Sequence, residues 1–202
     1  MVWNEILNKE EVGVGKIVAI NNVSLDGVVQ DPAGDEGFSR GGWVGALKDR
    51  PELNKLALDE ALSTEALLMG RRTYEWFAAR WPSRSGELAN RLNSMPKYVV
   101  STTLQNPDWN NSTVLKGDVL DEVTKLKQEL KGEIQVPASF QLMQLLMEHD
   151  LVDVVRVKVL PVVLGAGGRL FGETSRAEAM RLVSALTFEG VAVLTYERVR
   201  DT

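Results

Sequence analysis

Three strand-to-helix junctions hold the residues whose chemistry is most specific. Gly70-Arg71-Arg72-Thr73 follows the apolar run Ala66–Met69 and opens a helical stretch. A strand feeding a helix N-terminus presents free backbone N–H groups to an anion. Gly70 lets a phosphate approach the backbone, Thr73 can cap, and Arg71 and Arg72 add charge and bidentate geometry. The same four residues also read as a capped helix with two solvated arginines. Ser101-Thr102-Thr103 closes a second strand-like run and offers hydroxyls to phosphate or ribose oxygens, or forms a plain polar turn. Val136-Pro137-Ala138-Ser139, with Phe140 behind it, is the third junction, and Ser139 has the residue type of an N-cap. Ligands of α/β sheets bind beyond the carboxyl ends of the strands. Residues 70–73, 101–103 and 137–140 are therefore expected to face one crevice.

Other patterns are less specific. Gly165-Ala166-Gly167-Gly168-Arg169 misses the dinucleotide spacing GxGxxG, because Leu170 stands where the last Gly belongs. It reads as a tight positive-φ turn, or as a loop whose backbone approaches a flat ligand. Asp26, in Ser24-Leu25-Asp26-Gly27, ends the first strand, where an acid can hold a ligand; Asp-Gly is equally a turn dipeptide. Ser24 to Gly45 carries six glycines together with Phe38, Arg40 and Trp43, and reads as a lid or binding loop. Trp43, flanked by Gly41, Gly42 and Gly45, is expected to stack on a ring or on a partner subunit rather than in the core. Trp76 and Trp81 are expected in the core. His149 follows a helix and is read as complementing its dipole rather than as a catalytic group.

Composition removes whole classes of chemistry. The chain has 202 residues, no Cys and one His. Disulfide frameworks, zinc fingers, thiolate nucleophiles and multi-histidine metal sites are excluded. A Ser-His-Asp triad would have to use His149, and no Ser sits in a G-x-S-x-G elbow. A net charge of −5 without a basic block argues against nucleic-acid binding. No apolar run approaches the roughly 18–20 residues that span a bilayer, and residues 1–15 lack the apolar core of a signal peptide. The expectation is a cytoplasmic protein. Hydrophobic residues at 44% and charged residues at 25% are ordinary globular usage.

The elements that must position these residues are legible from periodicity. Strands are expected at 16–23, 66–69, 97–101, 113–115, 133–136 and 151–160, with a closing hairpin over 180–188 and 191–199 through Glu189-Gly190. Helices are expected at 51–63, 73–80, 86–93, 119–130 and 139–148. The last is apolar nearly all round and should be buried. Residues 1–15 read as a polar extension before a single domain over 16–202. This order predicts an α/β fold in three layers, α/β/α, with a mostly parallel sheet of about eight strands ending in an antiparallel hairpin.

The motifs also carry a family resemblance. VSLDGVVQ (23–30), GGWV (41–44), LLMGRRTYEWFAARWP (67–82), PKYVVSTTL (96–104), LLMEHDLVD (145–153) and LPVVLGAGGRLF (160–171) stand in family order and spacing. The chain resembles the dihydrofolate-reductase-like superfamily, above all stand-alone relatives of the reductase domain of the bifunctional riboflavin-biosynthesis deaminase/reductase. The deaminase half has no counterpart here, since its zinc signature needs Cys. The resemblance implies NADPH as hydride donor and a homodimer formed through the far elements of the sheet. It implies that Gly70–Thr73 and Ser101–Thr103 hold the 2′-phosphate and pyrophosphate, with Arg71 on the 2′-phosphate. It places Pro137–Phe140 under the pyrophosphate and Gly165 and Gly167 near the nicotinamide. Asp26 is the implied catalytic residue, with Phe38, Arg40 and Trp43 bordering a small heterocyclic or ribosyl substrate. Lys48 and Arg169 are further cations for a phosphorylated substrate, and Glu52, Asp59 and Glu60 are possible acids. Relatives commonly carry His-Gly-Ser where this chain has Pro137-Ala138-Ser139. Pro137 lacks an N–H and Ala138 adds a methyl group, which predicts weakened NADPH binding. The alternative is a protein of altered ligand, or none, on the same fold.

Overall fold

The computed structural model describes residues 14–47, 50–174 and 176–199. Of the expected polar extension, only Val14 and Gly15 fall within them. The chain alternates strands and helices: β1 (Lys16–Ser24), α1 (Pro51–Ser63), β2 (Thr64–Gly70), α2 (Arg71–Ala78), α3 (Glu87–Ser94), β3 (Lys97–Val100), β4 (Ser112–Leu115), α4 (Val119–Glu129), β5 (Glu133–Pro137), α5 (Phe140–Glu148), β6 (Val154–Leu160), β7 (Met180–Phe188) and β8 (Val191–Arg198). A 3-10 turn, Trp43–Leu47, closes the long loop after β1.

The eight strands form one sheet in the order β4-β3-β2-β5-β1-β6-β8-β7. β1 to β6 pair parallel, β8 runs antiparallel to β6, and β7 antiparallel to β8. The hairpin turns through Glu189 (φ 50°) and Gly190 (φ 86°), the two positive φ values a type I′ turn needs. The antiparallel ending is as expected, but β7 comes back into line with the parallel strands, so β8 alone runs against them.

Both faces of the central strands are covered, which is why they read as nearly continuous apolar runs. Ile17, Ala19 and Val23 of β1 pack with Val123 and Leu126 of α4 and Leu142, Met143 and Leu146 of α5. On the opposite face, Leu67 and Met69 of β2 pack with Ala61, Tyr74 and Leu92 from α1, α2 and α3. A third cluster joins Val28, Trp43, Leu53 and Leu56 to Leu160, Val191 and Val193. α5 is buried on one side only: Leu145 remains 39% exposed, because an outer-layer helix has just one neighbouring layer.

Candidate functional site

The carboxyl ends of β1, β2 and β5 open onto a cleft of about 610 Å³. Its walls include the first turns of α2 and α5, loop residues 31–36 and the floor residues Ile20, Asn22 and Lys158. Gly70, Arg71, Arg72 and Thr73 line it, as do Pro137, Ala138, Ser139 and Phe140. Two of the three expected junctions thus meet here. The third faces an adjoining hollow of about 390 Å³, lined by Ser101, Thr102, Thr103 and Lys116. Arg71 borders both spaces.

The junctions are tied to each other. Gly70 N–H donates to Ser139 Oγ at 3.1 Å, which fixes the start of α2 against the start of α5. Ser139 stands at the N-cap position of α5 but does not cap it with its side chain: its oxygen is turned across to the neighbouring strand end. Neither α2 nor α5 carries a side-chain N-cap, nor does Thr73 act as one. Their first-turn N–H groups are left to the cleft. A Cβ at Gly70 would meet nothing nearer than Ser139 Oγ at 4.0 Å, so the missing side chain opens the wall. Uncapped N–H groups, two arginines and a hydroxyl-lined hollow with Lys116 form a donor set that suits a ligand bearing several phosphates. Against it stands Ala138, whose φ of 51° is the left-handed conformation that glycine adopts freely. Its N–H donates to Ile20 O at 3.0 Å, locking that geometry.

The loop after β1 closes the mouth with acids. Trp76 Nε1 and Arg80 Nη2 donate to Asp35 at 2.9 and 2.7 Å, and Arg72 pairs with Glu36 at 3.1 Å. Asp31 is buried and accepts from the N–H groups of Glu36 and Phe38 at 3.1 and 3.0 Å, shaping the loop from inside. Trp76 lines the cleft instead of the core. Trp81 packs at the edge of the α2–α3 core cluster.

Several expected site residues lie elsewhere. Trp43 is buried beside Leu53, Leu56 and Val193, and its Nε1 donates to Gln30 O at 3.0 Å. The glycines around it let the chain fold back, so the ring is core; Val44 beside it lines the cleft. Phe38 packs over Gly167, where a Cβ would meet its ring at 3.0 Å and Val28 at 2.8 Å; with φ at 112°, only glycine suits that position. Arg40 donates to Leu164 O. Gly165 and Gly167 do not line the cleft: the 164–168 turn is docked on residues 24–30 through Val29 N–H to Gly168 O at 2.9 Å and Gly168 N–H to Gln30 Oε1 at 2.9 Å.

Asp26 anchors the same turn. Its carboxylate accepts from Ser24 Oγ at 2.7 Å, Leu164 N–H at 3.0 Å and Gly165 N–H at 2.7 Å. These bonds, the one from Leu164 foremost, hold its carboxyl well below the usual carboxylate range. A group so committed to its charged form is a poor proton donor, and the catalytic reading of Asp26 gives way to a structural one. Arg169 donates to the Asp26 carbonyl oxygen in the same corner. His149 Nδ1 lies 2.9 Å from Leu145 O at the end of α5.

Sequence reasoning passed over Asn22, Lys158, Asp35, Glu36 and Lys116. For the first two a signal existed: Asn21-Asn22 in β1, and Arg156 and Lys158 in β6, are polar residues inside mostly apolar strands. Only the register, which sets Asn22 beside Lys158, brings them together.

A model of the RibD C-terminal domain family matches residues 16–194. The chain belongs to that family. Uncharacterized protein YyaP of Bacillus subtilis (strain 168) is 30% identical over 138 residues, covering 65% of this chain and 73% of YyaP. A putative riboflavin biosynthesis protein from Shewanella sp. PV-4 superposes with a TM-score of 0.70 at 22% identity, covering 92% of this chain and 99% of that one. Dihydrofolate reductase from Enterococcus faecalis, complexed with NADP(H), gives 0.56 at 15% identity over 92% of this chain and 98% of its own. The fold is dihydrofolate-reductase-like. Among the described residues no helix is long and apolar enough to cross a membrane.

Proposed function

We propose that the protein is an NADPH-dependent reductase acting on a small heterocyclic or ribosyl substrate, akin to the reductase of riboflavin biosynthesis. The observation that carries this reading is the meeting of two uncapped helix N-termini with Arg71 and Arg72 in one cleft that continues into a hydroxyl-lined hollow. The first-turn N–H groups of α2 and α5 would hold the pyrophosphate. Arg71, Ser101–Thr103 and Lys116 would hold the 2′-phosphate. When bound, NADPH supplies a hydride from C4 of its nicotinamide. The protein positions the reactants and excludes water, with the 31–36 loop as the cover. The second reading, a cleft of altered ligand, is favoured by the Cβ of Ala138 on the cleft wall. We assign homodimer formation to the outer β8–β7 end of the sheet, where Leu182 is exposed.

Titration with NADPH and NADH, followed by nicotinamide fluorescence and thermal shift, tests the reading. The expected result is saturable NADPH binding that Arg71→Ala weakens about tenfold or more, with little change for NADH. No response to millimolar NADPH would overturn it in favour of the altered-ligand protein. Light scattering reads the oligomeric state.

A further inference from the structure

The two arginines at the start of α2 are paired in different ways. Arg71 pairs with Glu75 of its own helix at 3.0 Å, so that pair moves as one body. Arg72 pairs with Glu36, which belongs to the loop after β1, at 3.1 Å. Both residues line the cleft, so this pair joins its cation set to the cover across its mouth. The loop is shaped to hold Glu36 there. Asp31, buried at the loop's root, accepts the Glu36 N–H through its carboxylate, and those of Gly34 and Gly42 through its carbonyl oxygen. Gly34 and Gly37, with φ of 84° and 79°, bend the tip between them. Two successive acids then meet one stripe of residues spaced by four: Arg72, Trp76 and Arg80. Asp35 is the better tethered acid. Its Oδ2 accepts from Trp76 Nε1 at 2.9 Å and from Arg80 Nη2 at 2.7 Å, and Arg80 lies over the Trp76 ring at 4.2 Å. The Glu36 carboxylate has a single ion pair, with its own side chain 42% exposed and that of Arg72 65%.

We propose that Glu36 is a built-in competitor of the cleft's phosphate ligand: its carboxylate occupies Arg72 until a diphosphate group displaces it. This rests on the reading above that the first turn of α2 receives phosphate, and not on hydride transfer. A carboxylate carried by a backbone that is already fixed needs little further ordering to reach Arg72, so it acts as an anion at high effective concentration. A phosphate offers the guanidinium a matching pair of oxygens with more charge, and the uncapped N–H groups of α2 add to its hold. Exchange needs only rotation of the Glu36 side chain. The bonds to Asp31 at the loop's root and those of Asp35 to α2 do not have to break. The cover therefore stays over the cleft while Arg72 changes partners. The coupling is reciprocal: the factor by which Glu36 weakens the ligand is the factor by which the ligand weakens the Glu36–Arg72 contact. An exposed pair of this kind sets that factor at about two to five.

Calorimetric titration of the whole chain with inorganic pyrophosphate, and separately with NADPH, tests this as a double-mutant cycle. Glu36→Gln keeps the size of the side chain and removes its charge. Alone, it is expected to tighten pyrophosphate about two- to fivefold. Combined with Arg72→Met, it is expected to change the affinity of the Arg72→Met protein by less than about 1.5-fold, because nothing is left to compete for. Where Arg72→Met binds pyrophosphate too weakly to measure, Asp35→Asn serves as the comparison. It removes the same charge one residue away, from Arg80 and Trp76, and is expected to tighten pyrophosphate less than Glu36→Gln does. No tightening by Glu36→Gln overturns the proposal. Equal tightening in the Arg72→Met background, or by Asp35→Asn where it serves, also overturns it, since the effect is then one of overall charge. The full pattern with pyrophosphate but no binding of NADPH would sustain the competitor and overturn the reductase reading. NADPH binding with pyrophosphate indifferent to Glu36→Gln would do the reverse.

Discussion

Replacing Ala138 by glycine isolates the feature of the cleft that fits a phosphate-bearing ligand least. Five non-glycine residues take positive φ among the described residues: Asp31, Asn111, Ala138, Asp150 and Glu189. The other four have polar side chains, and short ones such as Asp and Asn can offset the left-handed conformation by local hydrogen bonds. Ala138 has no such means. The left-handed conformation costs a non-glycine residue about 1–2 kcal/mol. Ala138→Gly removes that cost but frees the unfolded chain, which returns about 0.4–1 kcal/mol. The backbone is held by the bond from Ala138 N–H to Ile20 O and by Pro137 in register with Ile20, so relaxation cannot dissipate the strain. The net expectation is a gain of about 0.5–1 kcal/mol in urea unfolding, and a Tm higher by about 2–3 °C for a chain of this size. Because Ala138 lines the cleft, the same change should tighten NADPH several-fold by letting the ligand approach the backbone. A loss of stability would refute the strain argument. A stability gain without tighter NADPH would show that the methyl group does not stand in the ligand's way.

Three further predictions concern the supports of the site. Ser139→Ala leaves the Gly70 N–H without its acceptor and should cost about 1–3 kcal/mol in urea unfolding; unchanged stability would mean water replaces the hydroxyl. Glu133→Gln removes a buried carboxyl whose affinity for protons is raised in the fold. The folded parent protein holds that proton more firmly than the unfolded chain, so it loses stability as pH rises from about 4.5 through the raised value. The variant should therefore gain on the parent between pH 4 and pH 7, and a pH-independent difference would contradict the burial argument. Asp26→Asn keeps one acceptor oxygen for three donors, and should raise proteolytic cleavage within residues 161–168 while leaving NADPH affinity unchanged; a large loss of NADPH affinity would return Asp26 to the ligand site.

What could be read from the sequence was what local pattern determines. Pro51 at the first turn of α1 marks that helix, and Gly70 and Pro137 end buried strands at the points where the chain turns into helices. Those strand ends placed 70–73 and 137–140 on the cleft. The errors came from residues whose environment is set by distant chain segments. Trp43 sits among glycines and looks exposed, yet the loop folds it onto α1 and β8. Trp76 belongs to a helix that covers the sheet, but it lies on the side that faces the loop acids. Gly165 and Gly167 have the positive φ values a close approach requires, but what approaches is the 24–30 segment rather than a ligand. Lys158 and Glu60 are 98 residues apart in the chain, and no local rule pairs them.

The ion pairs of the cleft divide by burial, and the division says which of them a ligand can replace. Arg71 pairs with Glu75 and Arg72 with Glu36, each side chain at least 42% exposed. Exposed pairs of this kind contribute about 0–1 kcal/mol, so an incoming phosphate displaces Glu75 or Glu36 at little cost and gains a bidentate partner. The Lys158–Glu60 pair is different, with side chains 12% and 6% exposed. Separating it strands a buried carboxylate, at a cost of about 3–5 kcal/mol. A ligand on the floor must therefore add to that pair rather than break it, through the hydrogens of the ammonium that Glu60 does not engage. An acidic chain can thus receive a polyanion at its rim, where carboxylates yield, and still keep a fixed cation at the floor, where one cannot.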